Sequence, residues 1–223
     1  MIHHALEWIY NLKIKHSKSY YSLDNILDKY KELWYDNWHS DIRSLKYSIL
    51  KKSDYYTMGM RFLIEYYNKF GPNFDQPAIK VEEKLKFKIK DYSFISIIDR
   101  IDEIDSALFV IDYKTGKKEL SEASLKKDLQ MGIYHLAIKN NFNNYAEISL
   151  SHYYLRSGKQ VEVKLSSADE IELENNIIQS IERIDAAMNV NEFESRESNL
   201  CNWCHYWKEC DKKTGLNPSN YVK

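Results

Sequence analysis

Apolar residues recur at helical spacing over the first third of the chain and then switch to alternation. In residues 3–70, Leu6, Ile9 and Tyr10 form one stripe, Ile26, Leu27, Tyr30, Leu33 and Trp34 a second, and Tyr56, Met60, Leu63 and Tyr67 a third, so this region reads as helical. Gly71-Pro72-Asn73 ends it. From Val81 the period is two: Leu85, Phe87 and Ile89 alternate with Lys84, Lys86, Lys88 and Lys90, which predicts a half-buried strand with a basic face. Two further β-rich runs, Phe94–Ile98 and Leu108–Ile111, flank a polar stretch around Glu103, Asp105 and Ser106 and predict an antiparallel hairpin. Leu125, Leu129, Ile133 and Leu136 predict a helix over Ser124–Ile138, and strands follow at Ala146–Leu155 and Gln160–Val163. Ser167 with Glu170 has the form of a capping box opening a last helix that bears Ile171, Ile178, Ile181, Ile184 and Met188. The order of elements predicts an α/β fold: a mixed β-sheet core flanked by helices, behind a helical N-terminal region.

Length and composition fit one domain spanning 1–223, since 223 residues at 43% hydrophobic and 14% aromatic can supply a sizeable core. No run reaches the roughly eighteen apolar residues of a membrane span, and no charged leader precedes an apolar stretch, so the expectation is a cytoplasmic protein without a membrane partner. The net charge of −1 advertises no global affinity for nucleic acid, which leaves local patches. The lysine strand could track a phosphate backbone, or its lysines could guard an exposed sheet edge. Lys117, Lys118, Lys126 and Lys127 lie closer in sequence to the acidic hairpin, and the 18 tyrosines include candidates for stacking on bases.

That hairpin carries the candidate chemistry. Each of its strand runs ends in an aspartate, Asp99 and Asp112, and a turn centred between Asp105 and Ser106 sets the two nearly opposite, with Cβ atoms about 4.5–5.5 Å apart. Asp112 and Lys114 share a face while Tyr113 points to the other. Two carboxylates beside an ammonium suit metal-assisted phosphodiester hydrolysis: the carboxylates hold Mg²⁺ and the lysine stabilises the anion or orients a water. A surface hairpin with charged tips would carry the same residues. The three cysteines, Cys201, Cys204 and Cys210, lie together near the C-terminus among Trp203, His205, Tyr206 and Trp207. An odd, clustered set argues for metal rather than a disulfide framework, with an iron–sulphur cluster, a metal-free remnant and a zinc site using His205 or another histidine as the readings.

Asp99-Arg100-Ile101-Asp102, then Asp112-Tyr113-Lys114-Thr115-Gly116, then Gln130 and Tyr134 together resemble the RecB-type branch of the PD-(D/E)XK nuclease superfamily. Upstream, His3 to Leu6 resembles that family's early His-x-x-Leu motif and Val81-Glu82 the glutamate of its first core strand; downstream, Cys201, Cys204 and Cys210 resemble the cysteine cluster of its iron–sulphur members, AddB-like and CRISPR-associated exonucleases among them. The resemblance implies a restriction-endonuclease-like core over 81–190 and a cysteine segment over 195–215. It implies that His3, Asp99 and Asp112 ligate Mg²⁺ or Mn²⁺, that Lys114 is the active-site lysine, that Glu82 supports the site and that Gln130 and Tyr134 face substrate. It also implies a [4Fe–4S] cluster, for which this chain offers three thiolates where four are usual. Ser96 and Ile97 stand where relatives often carry a glycine. Met1 precedes His3 by two residues, where relatives place a segment with a further cysteine, so the expectation is either a reading frame started late or a histidine on a fraying end, with His4 as its alternative. The implied activity is a DNA exonuclease acting on single strands or duplex ends in recombination, repair, phage replication or CRISPR adaptation, with helicase, recombination or CRISPR proteins as partners. The alternative is a catalytically weak DNA-binding or scaffold module of the same fold.

Overall fold

The computed structural model describes residues 1–16, 21–39, 44–45, 50–198, 200–201, 204, 206–212 and 221–222. In chain order the elements are α1 (Ile2–Lys15), α2 (Leu23–Asn37), β1 (Ser44–Leu45), α3 (Lys52–Phe70), β2 (Ala78–Ile89), β3 (Tyr92–Ile104), β4 (Ala107–Lys114), α4 (Glu122–Leu125), α5 (Leu129–Asn141), β5 (Glu147–Tyr154), β6 (Lys159–Val163), α6 (Ser167–Val190) and β7 (Tyr221–Val222). Strands β2 to β6 form a five-stranded sheet in that order, and β1 pairs with β7. Every neighbour in the main sheet is antiparallel except β4 and β5. A parallel pair needs a crossover, and α4 with α5 supplies it. This is the mixed sheet with flanking helices that the sequence predicts.

Helices α1–α3 cover one face of the sheet. Leu6, Ile9, Tyr30, Phe62, Leu63 and Tyr66 bury there against Ile111, Tyr113, Tyr153 and Leu155. Helices α5 and α6 cover the other, where Met131, Leu136, Ile138, Leu173 and Ile177 meet Leu85, Phe87, Ile98, Val110 and Val161. The β3–β4 turn is Asp105-Ser106 with φ of 48° and 64°, the left-handed pair of a two-residue hairpin loop. Its register, Arg100 opposite Ile111 through Ile104 opposite Ala107, is the one that the sequence predicts from a turn centred there.

Four sequence readings change. Both hairpin strands run through their aspartates instead of ending at them, and the facing of β3 slips: Phe94, Ile98 and Ile101 pack on the α5–α6 side, while Arg100 reaches Tyr66 and Tyr113 on the α1–α3 side. A strict period of two cannot follow a strand across such a slip. The segment 124–138 is two helices, since Asp128 accepts a hydrogen bond from Met131 N and restarts the helix; Leu129 is exposed. The capping box of α6 is Ser166 with Asp169, one residue before the predicted pair, which frees Glu170 to meet His135 at 2.6 Å. The buried stripe of α6 is Leu173, Ile177 and Ile178, leaving Ile171, Ile184 and Met188 exposed, and that of α3 is Gly59, Phe62, Leu63 and Tyr66. The lysine strand β2 is an edge strand with Lys84, Lys86 and Lys88 outward.

Candidate active site

His3 stands in the first turn of α1. Ala5, Leu6, Ile9 and Tyr10 bury one side of that helix and so fix its rotation, and His3, three residues before Leu6, falls on the same flank. Its Nδ1 lies 3.5 Å from Asp99 Oδ1. His4, the alternative from sequence, is exposed and lines a separate surface hollow with Glu7 and Trp8.

Asp99 sits where β3 slips. The β3–β4 ladder runs as far as Arg100 and Ile111, and the next donor of β4 towards β3, Tyr113 N–H, bonds Asp99 Oδ2 at 2.7 Å. A carboxylate thus replaces a strand partner and lets the sheet fork at the site. On the other side of Asp99 is Glu82 of β2, with Val81 paired to Arg100 and Glu83 to Ile98 around it. Glu82 takes a left-handed φ of 45° inside the strand. For a long side chain with a Cβ this costs about 1–3 kcal/mol and persists only where the surroundings enforce it. The result is convergence: one ligand atom each from His3, Glu82 and Asp99 lies within 4.8 Å of the others, the one such group among the described residues.

Asp112 stands beside this trio with a different partner. Its Oδ2 is 2.7 Å from Lys114 Nζ, and Lys114 donates to Gln130 Oε1 at 2.7 Å. Gln130 Nε2 donates to Tyr134 OH at 2.9 Å, and Tyr134 OH reaches back to Asp112 Oδ1 at 3.4 Å. The four side chains close a ring that holds the ammonium in place. Lys114 and Asp112 share one face as their spacing predicts, and Gln130 and Tyr134, one turn apart on α5, face them.

The charges in this cleft are crowded. Burial pushes the Glu82 carboxyl above its usual range, and Asp99 and Glu7 push it further. The hydrogen bond to Asp99 raises His3 against the pull of burial. Burial also raises Asp112, although Lys114 opposes it. Two carboxylates and an imidazole nitrogen form the hard, mostly oxygen donor set that suits Mg²⁺ or Mn²⁺, so these residues fit a divalent cation.

One group here has no counterpart in the sequence reading. His152 of β5 pairs in register with Asp112, and its Nε2 lies 4.0 Å from Asp112 Oδ2. Burial, with the Lys114 charge behind it, depresses the imidazole to about 4, so it stands neutral near pH 7. A histidine amid buried strand residues was the available signal, but which strand lies beside β4 is a matter of topology. Behind the site, Arg100 is almost wholly buried: its Nη1 donates to Tyr66 and Tyr113 hydroxyls, each at 2.7 Å, and its Nε lies 2.8 Å from Asp102 Oδ1. Tyr10 OH meets Tyr66 OH at 2.5 Å. Arg100 and Asp102 therefore tie α1 and α3 to the strands carrying the acidic residues. The helix that presents His3 is anchored by this network.

The cysteines do not join the His3–Glu82–Asp99 group. Cys201, Cys204 and Cys210 are partly exposed, free of disulfides, and do not gather within reach of one ion. Three thiols fall short of the four thiolates of a [4Fe–4S] cluster. Trp203 and His205 lie outside the described residues.

Two solved structures are similar over most of their length. A protein from Eubacterium rectale described as a "putative exonuclease" shares 12% identity, with 82% of this chain and 69% of that one covered, at a TM-score of 0.46. The protein SSO0001 shares 14% identity over 85% of this chain and 96% of its own, at a TM-score of 0.37. No curated protein matches. The model of the PD-(D/E)XK nuclease superfamily matches residues 1–211, nearly the whole chain, with His3, Glu82, Asp99, Asp112 and Lys114 all inside it. The chain belongs to the PD-(D/E)XK nuclease superfamily.

Proposed function

We propose that this protein is a Mg²⁺- or Mn²⁺-dependent deoxyribonuclease of the RecB type, an exonuclease working on single strands or duplex ends. The observation that carries the reading is the convergence of His3, Glu82 and Asp99 beside the Asp112–Lys114 pair. His3, Glu82 and Asp99 would hold the cation, with Asp112 as the adjoining carboxylate. A cation bound there would supply Lewis-acid stabilisation of the phosphate and lower the pKa of a water. Lys114, fixed by Asp112 and Gln130, presents its ammonium to the phosphate and stabilises the charge that develops there. Tyr134 and Gln130 hold that geometry, and neutral His152 adds no charge behind Asp112. The iron–sulphur part of the resemblance does not enter this reading. Recombination, repair, phage replication and CRISPR adaptation are the processes that such an activity would serve, with helicase or CRISPR proteins as its partners.

The test uses oligonucleotides labelled at the 5′ or 3′ end, single-stranded and blunt-ended, with Mg²⁺, Mn²⁺ or chelator. Metal-dependent release of short products from one end is expected. Lys114→Ala should lower kcat about 10²–10³-fold, as loss of one preorganised donor does, and Asp99→Asn should abolish cleavage. Wild type without metal-dependent cleavage, yet binding DNA, would replace this reading with that of a scaffold module.

A further inference from the structure

Beside the acidic cleft, the N-terminal helices line an open hollow of about 570 Å³, within the size range of small-ligand pockets. Tyr30, Trp34, Trp38, Tyr55, Met58 and Phe62 line it. Two further lining residues join it to the site: His3, whose imidazole faces Asp99, and Thr115, which follows Lys114. Cations stand at its edge. Lys52 Nζ sits 5.2 Å from the centre of the Trp38 ring, and the Arg156 guanidinium lies 5.3 Å from that of Phe62, with Nη2 3.0 Å from Met58 Sδ. An aromatic chamber flanked by exposed cations and opening at a phosphate-cleaving site matches a nucleotide: an apolar, stackable base with anionic phosphates on both sides.

We propose that this cavity takes the unpaired nucleobase next to the phosphate in the acidic cleft, stacked on Trp38 and Tyr55, with Lys52 and Arg156 on the neighbouring phosphates. The inference rests on the nuclease reading above. It makes the substrate end a single strand, because a paired base cannot leave its stack without breaking its pair. Aromatic stacking accepts any base, so the expected preference is for unpaired ends and not for a sequence.

Binding of a fluorescent single-stranded oligonucleotide is measured with Ca²⁺ in place of Mg²⁺, for natural strands and for strands with abasic sites, on wild type, Trp38→Ala and Trp38→Phe. Trp38 is partly exposed just beyond the end of α2 and stacks one face on Trp34, with ring centroids 4.6 Å apart, which leaves the other for a base, and melting curves check that the variants fold. Trp38→Ala should weaken binding of the natural strand about five- to hundred-fold, the range for one base–aromatic stack. Trp38→Phe should recover most of that. Abasic strands should bind wild type at least as weakly as natural strands bind Trp38→Ala, since the base also stacks on Tyr55, and Trp38→Ala should weaken the binding of abasic strands no further. Equal affinity for natural and abasic strands would overturn the proposal and give the cavity to a protein side chain. So would additive losses, which would make Trp38 structural. Asp99→Asn separates the two readings: it should lose cleavage and keep the difference between natural and abasic strands. A wild type that does not cleave but keeps this difference refutes the nuclease reading alone.

Discussion

At the scale of single residues, Glu82 holds the least favourable position in the site. It takes a left-handed φ of 45° in a strand, and its carboxyl is pushed up by burial and by Asp99 and Glu7. Glu82→Gly removes about 1–3 kcal/mol of backbone strain at an entropic cost of about 0.5–1 kcal/mol. The expected outcome is a metal-free protein more stable by about 1 kcal/mol that loses most of the stabilisation that Mn²⁺ gives the wild type. Urea denaturation with chelator and with Mn²⁺ measures both. A less stable metal-free variant would mean that the strain is not relieved by glycine.

At the scale of elements, close helix packing sets limits that propensity misjudges. Gly59 lies inside α3, where alanine would ordinarily stabilise the helix by about 1 kcal/mol. A Cβ there would stand 2.0 Å from the Tyr30 hydroxyl and 2.6 Å from its ring carbon Cζ, and Tyr30 is a rigid, buried ring that also lines the aromatic cavity. Gly59→Ala should therefore destabilise by about 1–3 kcal/mol, read from its thermal melt, and a raised melting temperature would show that α2 and α3 can part. The α5–α6 contact is expected to depend on pH. Burial of Glu170 opposes its charge, but hydrogen bonds from Lys139 and His135 outweigh this and hold the carboxyl below its ordinary value of 4.5. A depressed carboxyl stabilises the fold above that ordinary value and loses the contribution as pH falls through the folded one. Wild type should therefore exceed Glu170→Gln in melting temperature near neutrality, and the gap should close in acid below about pH 4.5. A gap that stays constant would remove the ion pair from the account.

At the scale of the whole molecule, sheet order separates the two readings of the lysine strand. Strand β2 is an edge of the main sheet, and Lys84, Lys86 and Lys88 alternate outward opposite Ile97, Ile95 and Ser93. Ile95 and Ile97 are about half exposed, so this edge would be adhesive without its charges. Replacing all three lysines with threonine should lower the protein concentration at which light scattering rises, while nuclease turnover stays within about twofold. A large loss of turnover with unchanged solubility would mean instead that the lysines track DNA. No described helix is long and apolar enough to cross a membrane.

Sequence by itself determined what local periodicity and residue chemistry can carry: helices before strands, the β3–β4 register, the Asp112–Lys114 face and the family motifs. The two-residue turn is short, so the register follows from counting outward, and the alternation of a strand fixes which side chains share a face. Only the tertiary structure decided the rest. That β5 lies parallel beside β4, bringing His152 to Asp112, depends on a crossover whose path no local pattern encodes. That Glu82 joins His3 and Asp99 while Asp112 turns to Lys114 depends on a left-handed residue and on a slip of facing in β3, both held by long-range packing. The cavity beside them is lined by residues of three helices that only packing on the sheet brings together, two of them tied to the strands through the buried Arg100 network. Contacts between residues far apart in sequence are made by the fold as a whole, and a reading confined to neighbours along the chain does not reach them.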